Sequence, residues 1–173
     1  SPPEKELEWN ENGLAGAYRF LAKIWRMVME HKENMEFGEI NLNAVSKEDK
    51  ALIIKLNQTI KKVTESIEND YHFNTSIAAT MELINETQDF KVNVIETGKI
   101  TSESRKIFGE VVKNIILMLS PFTPHFCDDL WEEMGNKSYL FNEAWPTFKE
   151  ELTISSNVVI AVQVNGKVRG TVE

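Results

Sequence analysis

The side chains that most often carry chemistry are sparse in this sequence and poorly spaced for it. His31, His72 and His125 fall in separate stretches, and none has a Cys or a second His at metal-ligand spacing. The patterns His-Glu-x-x-His, the P-loop and Gly-x-Gly-x-x-Gly are absent. Cys127 sits among Phe126, Leu130 and Trp131, an apolar setting that predicts a buried, inert thiol; a nucleophile needs a positive, partly exposed one. Asp128-Asp129 and Glu132-Glu133 could serve as general acid and base or as a cation site, but without EF-hand spacing they read as a solvated helix face. His125, beside Pro124, reads as a cap or a hydrogen-bonded partner. Gly13 and Gly16 follow no strand and suit close helix packing. No catalytic residue and no metal ligand is assigned.

Charge is more informative. Nineteen Lys and Arg against 27 Asp and Glu leave a net −8, which disfavours nonspecific nucleic-acid binding by the chain as a whole. The distribution is uneven. Seven acids against Lys137 and Lys149 make Phe126–Glu151 strongly negative, whereas Arg19, Lys23, Arg26 and Lys32 meet only Glu30 along the first helix. Arg19, Lys23 and Arg26 share the face opposite that helix's apolar stripe, so they could meet a phosphate backbone together. Lys61, Lys62, Arg105 and Lys106 are weaker candidates. Lys167 and Arg169 follow a turn on alternate strand positions, which suits a phosphate contact. Trp25 and Trp131 lie on apolar stripes and read as core; Trp9 and Trp145 read as docking residues at the ends of the bundle.

These residues must be placed by helices. Leu14, Ala17, Tyr18, Leu21, Ile24, Trp25 and Val28 recur at helical spacing over about 14–31. Residues 34–45, with Gly38 and three Asn, read as a loop. Ser46 caps a second helix, with Asp49 completing a weak capping box, and its stripe is Leu52, Leu56, Ile60, Val63 and Ile67. Asn74 or Thr75 caps a third, with Phe73, Ile77, Met81 and Ile84 as its stripe, fraying into loop over 86–98. Thr101 or Ser102 caps a fourth that is apolar almost all round and therefore central. Pro121 stops it, Pro124 opens a fifth, and Gly135 closes that one. Beyond, Val158–Val164 and Lys167–Val172 alternate about Asn165-Gly166, a type I′ hairpin signal. The expected fold is mainly α, an antiparallel bundle of about five helices with a C-terminal β-hairpin. The expected division is a lead over 1–12, a helical domain over 13–151 and the truncated start of another domain over 152–173.

The 173 residues suffice for one core, and 42% apolar with 27% charged residues is ordinary globular usage. No apolar run reaches the ~18 residues of a membrane span. A single cysteine gives no sign of an oxidising compartment, and no signal peptide is seen, so a cytoplasmic setting is expected and the four Asn-x-Ser/Thr triplets are chance matches. A start at Ser1 and a stop at Glu173 within a strand pattern suggest an excised piece.

Several stretches resemble the leucyl-tRNA synthetase family, in the region after its class I catalytic core. They are Ser1-Pro2-Pro3-Glu4 with Leu7-Glu8-Trp9 and Arg19-Phe20-Leu21; Phe73-Asn74-Thr75-Ser76-Ile77-Ala78-Ala79 with Met81-Glu82-Leu83; Leu119-Ser120-Pro121-Phe122-Thr123-Pro124-His125 with Leu130-Trp131; Trp145-Pro146; and Val162-Gln163-Val164-Asn165-Gly166-Lys167-Val168-Arg169. The likeness runs almost end to end. The resemblance implies an anticodon-binding-type helical domain and the first hairpin of a C-terminal domain. The parent would join leucine to tRNA-Leu using ATP and Mg²⁺, with tRNA-Leu and the rest of the same polypeptide as partners. Neither the His-Ile-Gly-His nor the Lys-Met-Ser-Lys-Ser type of ATP motif is present, and no cofactor is implied for this stretch. Its role would be positioning tRNA, through Arg19, Lys23, Arg26, Lys167 and Arg169. The alternatives are a protein-interaction module docking through its acidic segment, and the equivalent domain of an isoleucyl, valyl or methionyl enzyme.

Overall fold

The computed structural model describes residues 11–69, 71–154, 160–164 and 167–172, with side chains over 13–69 and 71–154. Five α-helices order the described residues: α1 (Glu11–His31), α2 (Lys47–Glu68), α3 (Phe73–Phe90), α4 (Ser102–Leu119) and α5 (Pro124–Glu133). The architecture is mainly helical, as the sequence implies. Helices α2 and α3 pair most extensively, and α4 packs on both and on α5. A strand β1 (Ile160–Val164) pairs antiparallel with β2 (Lys167–Val172). The Asn165-Gly166 turn between them lies outside the described residues, as do Trp9 and the lead over 1–10.

Helix α4 is the centre. Ile107, Phe108, Val111, Val112, Ile115, Ile116 and Met118 are all fully buried, so every face of it needs a neighbour. Helix α2 supplies Leu52, Leu56, Ile60 and Val63, the stripe read from the sequence. Its N-terminus carries a full capping box: Asp49 N–H donates to Ser46 Oγ at 3.0 Å, and Ser46 N–H donates to Asp49 Oδ2 at 2.9 Å. The same Asp49 Oδ2 accepts from Ser104 Oγ at 3.1 Å, tying the start of α2 to the start of α4, where Thr101 is the cap. In α5, Pro124 occupies the first turn, and Gly135 follows with φ +89°, the left-handed ending a glycine tolerates.

Four readings need correction. Helix α3 begins at Phe73 with His72 in the cap position and no side-chain cap, so neither Asn74 nor Thr75 caps it. Its buried face is Ser76, Ala79, Thr80, Leu83, Ile84, Thr87 and Phe90, while Phe73 and Met81 are exposed. The hydroxyls of Thr80 and Thr87 donate to the carbonyls of Ser76 and Leu83 four residues back, at 2.9 and 2.7 Å, which lets polar residues sit in an apolar seam. Residues 86–98 do not fray; α3 passes into a π-helical turn, Lys91–Ile95, that buries Val94 and Ile95. The stripe on α1 is core only in its second half, where Ile24, Met27 and Val28 are buried, whereas Leu14 and Tyr18 are 57% and 73% exposed.

The chain between α1 and α2 crosses α4 at Gly109. Glu36 N–H donates to the Arg105 carbonyl at 3.2 Å, and a Cβ on Gly109 would lie 2.5 Å from the Glu36 carbonyl oxygen. Gly109→Ala should therefore cost about 1–3 kcal/mol as an overpacked core position. Gly16→Ala, where a Cβ meets nothing within 4 Å in mid-helix, should gain about 0.5–1 kcal/mol. Urea unfolding of both variants against the parent chain tests the pair, and equal midpoints would contradict the close crossing.

Candidate nucleic-acid interface

The basic residues divide sharply by whether a carboxylate holds them. Lys32, Lys55, Lys61, Lys91 and Arg105 pair with Glu133, Glu82, Glu150, Glu96 and Glu36, and Lys106 and Lys113 pair with acids one turn away on α4. Of the weaker candidates, Lys61, Arg105 and Lys106 are thus already engaged. Lys61 is also 5.7 Å from the Phe148 ring centroid, and Arg105 reaches the Glu33 carbonyl and Asn34 Oδ1.

Arg19, Lys23 and Arg26 make no ion pair among the described residues. Arg19 and Arg26 are exposed. Arg26 Nε donates to the Ala22 carbonyl at 3.3 Å, a contact within its own helix that leaves the rest of the guanidinium open. Lys23 Nζ donates to Asn85 Oδ1 of α3 at 2.7 Å. That bond marks a groove between α1 and α3, about 180 Å³, lined by Lys23, Arg26, Met27, Glu30, Gln88 and Lys91. The structure keeps Arg19, Lys23 and Arg26 on one helix face and adds neighbours that the sequence reading missed, Asn85 and Gln88 from α3 and Lys91 from the π-helical turn after it. Only the shared rise of two adjacent helices places these together, and no spacing along the chain signals that.

The π-helical turn sets Lys91 beside this groove. Its Nζ lies 3.0 Å from Glu96 Oε1, and His31 Nε2 lies 3.8 Å from the same oxygen. His31 also packs edge-on against Phe108, centroids 6.5 Å apart. Lys167 and Arg169 fall on β2. The register pairs Val162 with Gly170 and Gln163 with Val168, so Arg169 has no partner in the ladder and the strict alternation assumed for these two residues is interrupted there.

Other singled-out residues have structural roles. Cys127 is fully buried, and burial pushes its thiol up to about 11 despite a contact with Thr123 Oγ1 at 3.4 Å. Trp131 is core, and Trp25 packs against the core beside Phe126 at 6.1 Å. Trp145 docks on α2 through an Nε1 hydrogen bond to Thr64 Oγ1 at 2.9 Å. His125 is no cap: it is exposed, without a hydrogen bond among the described residues, and lines an apolar groove of about 510 Å³ with Pro121, Pro124 and Trp145. No group of three or more His, Cys, Asp or Glu among the described residues could hold a metal ion, and no helix among them is long and apolar enough to cross a membrane.

The pKa of His31 is lowered from the ordinary 6.5, first by burial and then by Lys91, with Glu96 and Glu30 opposing. Protonation is therefore easier in the unfolded chain, and stability present above pH 6.5 is lost as pH falls through the folded value. His31→Gln should lose less stability than the parent between pH 7 and pH 5. Denaturant midpoints at the two pH values measure this, and a steeper loss in the variant would refute the sign.

Residues 49–173 match the family described as the anticodon-binding domain of tRNA ligase. The chain is 60% identical to a leucine–tRNA ligase of Fusobacterium nucleatum, covering 100% of this chain and 20% of that protein. It is 40% identical to the leucine–tRNA ligase of Hydrogenovibrio crunogenus, covering 100% of this chain and 19% of that one. Among solved structures, the Agrobacterium radiobacter K84 agnB2 LeuRS in a ternary complex with tRNA and LeuAMS superposes with a TM-score of 0.78 at 27% identity, over 99% of this chain and 21% of that one. The chain thus spans about a fifth of the relatives it matches. With five described α-helices, one of them buried at the centre, and a family match over 49–173, this chain belongs to the anticodon-binding domain family of tRNA ligases.

Proposed function

We propose that this chain positions tRNA-Leu for a leucine–tRNA ligase, and that Arg19, Lys23 and Arg26 contact the tRNA backbone. The observation that carries this reading is the α1 face, where Arg19, Lys23 and Arg26 have no carboxylate partner among the described residues, in a chain of net charge −8. Support comes from the structural neighbour, a LeuRS in complex with tRNA. Backbone contacts of this kind set register without reading sequence. Register in turn delivers the acceptor end to a distant reaction centre. Lys167 and Arg169 would add a second contact from β2, as part of the first hairpin of a C-terminal domain over 152–173. The helical domain over 13–151 would be the positioning body, with 1–12 leading in from the catalytic half.

Joining leucine to tRNA consumes ATP with Mg²⁺ in the parent enzyme this reading implies. The described side chains do not fit that chemistry: they offer no metal-ligating cluster, and the sequence has no ATP motif of either class I type. No reaction step is therefore assigned to them. The remainder of the ligase is the second partner, and the cytoplasm the setting.

The rival reading, docking through the acidic segment, is weakened by where its acids are spent. Glu133 and Glu150 pair with Lys32 and Lys61. Asp128 accepts the Leu140 N–H at 3.0 Å, and Glu143 accepts from Ser138 Oγ at 2.7 Å.

Fluorescence anisotropy of this chain with tRNA-Leu across a salt series tests the proposal. Log affinity should fall linearly with log salt, and converting Arg19, Lys23 and Arg26 to Glu should reduce the slope by about 2–3, near one per lost phosphate contact. An unchanged slope would remove this face from the interface. In the full-length ligase the same triple change should raise the KM for tRNA and leave leucine-dependent pyrophosphate exchange intact.

A further inference from the structure

Beside the basic face lies a titratable group that the tRNA reading leaves unused. His31 closes α1 one turn beyond Met27, with its side chain 12% exposed and its ring held edge-on by Phe108 of α4. Its Nε2 is 3.8 Å from Glu96 Oε1, and Lys91 Nζ is 3.0 Å from that same oxygen. One carboxylate thus stands between two basic groups, and one of them, Lys91, lines the groove with Lys23 and Arg26. Lys32 and Arg105, on the adjoining segments, are paired with Glu133 and Glu36. The charged groups acting on the imidazole are Lys91, Glu96 and Glu30, and Glu30 lines the groove as well.

The two states of the imidazole leave different charge beside the groove. With His31 neutral, Lys91 and Glu96 cancel. With His31 protonated, the same three groups carry one net positive charge, at the end of a helix that favours a cation. Both ring nitrogens are then donors. At 3.8 Å the carboxylate is beyond hydrogen-bond range of Nε2, so an imidazolium draws it closer, and Glu96, 45% exposed, is free to follow. That movement takes the oxygen away from Lys91 and leaves the ammonium to the groove it already lines.

We propose that Lys91 is a further phosphate contact of this face, and that His31, through the carboxylate the two share, governs how much of its charge a polyanion meets. This rests on the tRNA reading above and adds a regulation of the same site by pH. Burial and then Lys91 hold His31 below its ordinary 6.5 in the free chain. A phosphate seated on Lys91 offsets the second of these causes, so the complex takes up a proton more readily than the free chain. Affinity therefore rises as pH falls through the value His31 has in the complex, and levels off below its value in the free chain. A histidine with only a structural role gives the opposite sign, because loss of folded chain at low pH weakens binding.

The test is anisotropy titration with tRNA-Leu at pH 7.5 and pH 5.5, at one salt concentration, for the parent chain, His31→Gln and Glu96→Gln. Between the two pH values the parent should gain about three- to fivefold more affinity than His31→Gln, as for one exposed ion pair. The variant records what His72, His125 and the RNA itself contribute. Glu96→Gln should bind about three- to fivefold tighter than the parent at pH 7.5, because Lys91 is then unopposed. NMR titration of the His31 ring in the parent, with and without tRNA-Leu, needs no variant to fold; its pKa should rise on binding. Equal pH dependence in parent and His31→Gln, no gain from Glu96→Gln, or a His31 pKa that stays or falls on binding would each overturn the inference. If any of these occurs while the triple change on α1 still lowers the salt slope, the tRNA reading stands and Lys91 lies outside the interface. Absence of binding at both pH values brings down both.

Discussion

A helix that is apolar on every face can exist in water only if it is surrounded, and α4 is that helix. Its burial dictates the rest of the bundle. Helices α2 and α3 cover two sides and α5 a third. The remaining approaches are covered by the end of α1, where His31 packs on Phe108, by the loop that crosses at Gly109 and by the segment around Leu140, which reaches the core. Loops are tolerated in such positions only where their backbone groups are satisfied. Here Glu36 N–H finds the Arg105 carbonyl, Leu140 N–H finds Asp128, and Lys149 N–H finds Asn57. Apolar burial draws these segments in, and specific acceptors on the helices fix where they lie.

The polar residues inside this core are spent largely on the fold itself, and among the described residues the buried side-chain atoms left without a partner are Asp49 Oδ1 and Trp131 Nε1. Thr59, Thr80 and Thr87 return their hydroxyls to carbonyls four residues back and so present only methyl groups to their neighbours. Asp49 is fully buried, and its Oδ2 accepts from the Ser46 N–H and from Ser104 Oγ, joining two helix starts. These cases consume polarity to build the fold. Asn114 likewise returns its Nδ2 to the Glu110 carbonyl one turn back on its own helix, at 2.7 Å.

Much of the framework was legible in the sequence because it is written in local chemistry. Ser46 with Asp49, Thr101, Pro124 and Gly135 end or begin helices through bonds spanning three or four residues, and such bonds can be seen in a string of letters. The α3 face was misread for the converse reason. Ser76, Thr80 and Thr87 score as polar, and only the tertiary seam reveals that their hydroxyls are turned inward. The π-helical turn was likewise invisible, since no residue type demands it. It is sustained by the burial of Val94 and Ile95 against helices far away in sequence. At the candidate interface the α1 trio was visible because it is one helix face, while Asn85, Gln88 and Lys91 join it only across the groove that the Lys23–Asn85 bond spans.

Net charge and local charge part company here for a physical reason. Acids outnumber bases, yet an acid neutralises a base only where the fold brings them within about 4 Å, and exposed pairs at that range are worth at most about 1 kcal/mol each. Seven of the described cations are placed within that reach by packing or by a turn of helix. Along α1 the neighbouring helix offers an asparagine and a glutamine where an acid would have closed the pair. Lys23 is therefore held in position without being neutralised, and Arg26 keeps most of its donors free. An interface for a polyanion requires that combination of fixed location and retained charge, and a surplus of acids elsewhere on the chain does not remove it, because screening confines their field to about 8–10 Å in physiological salt.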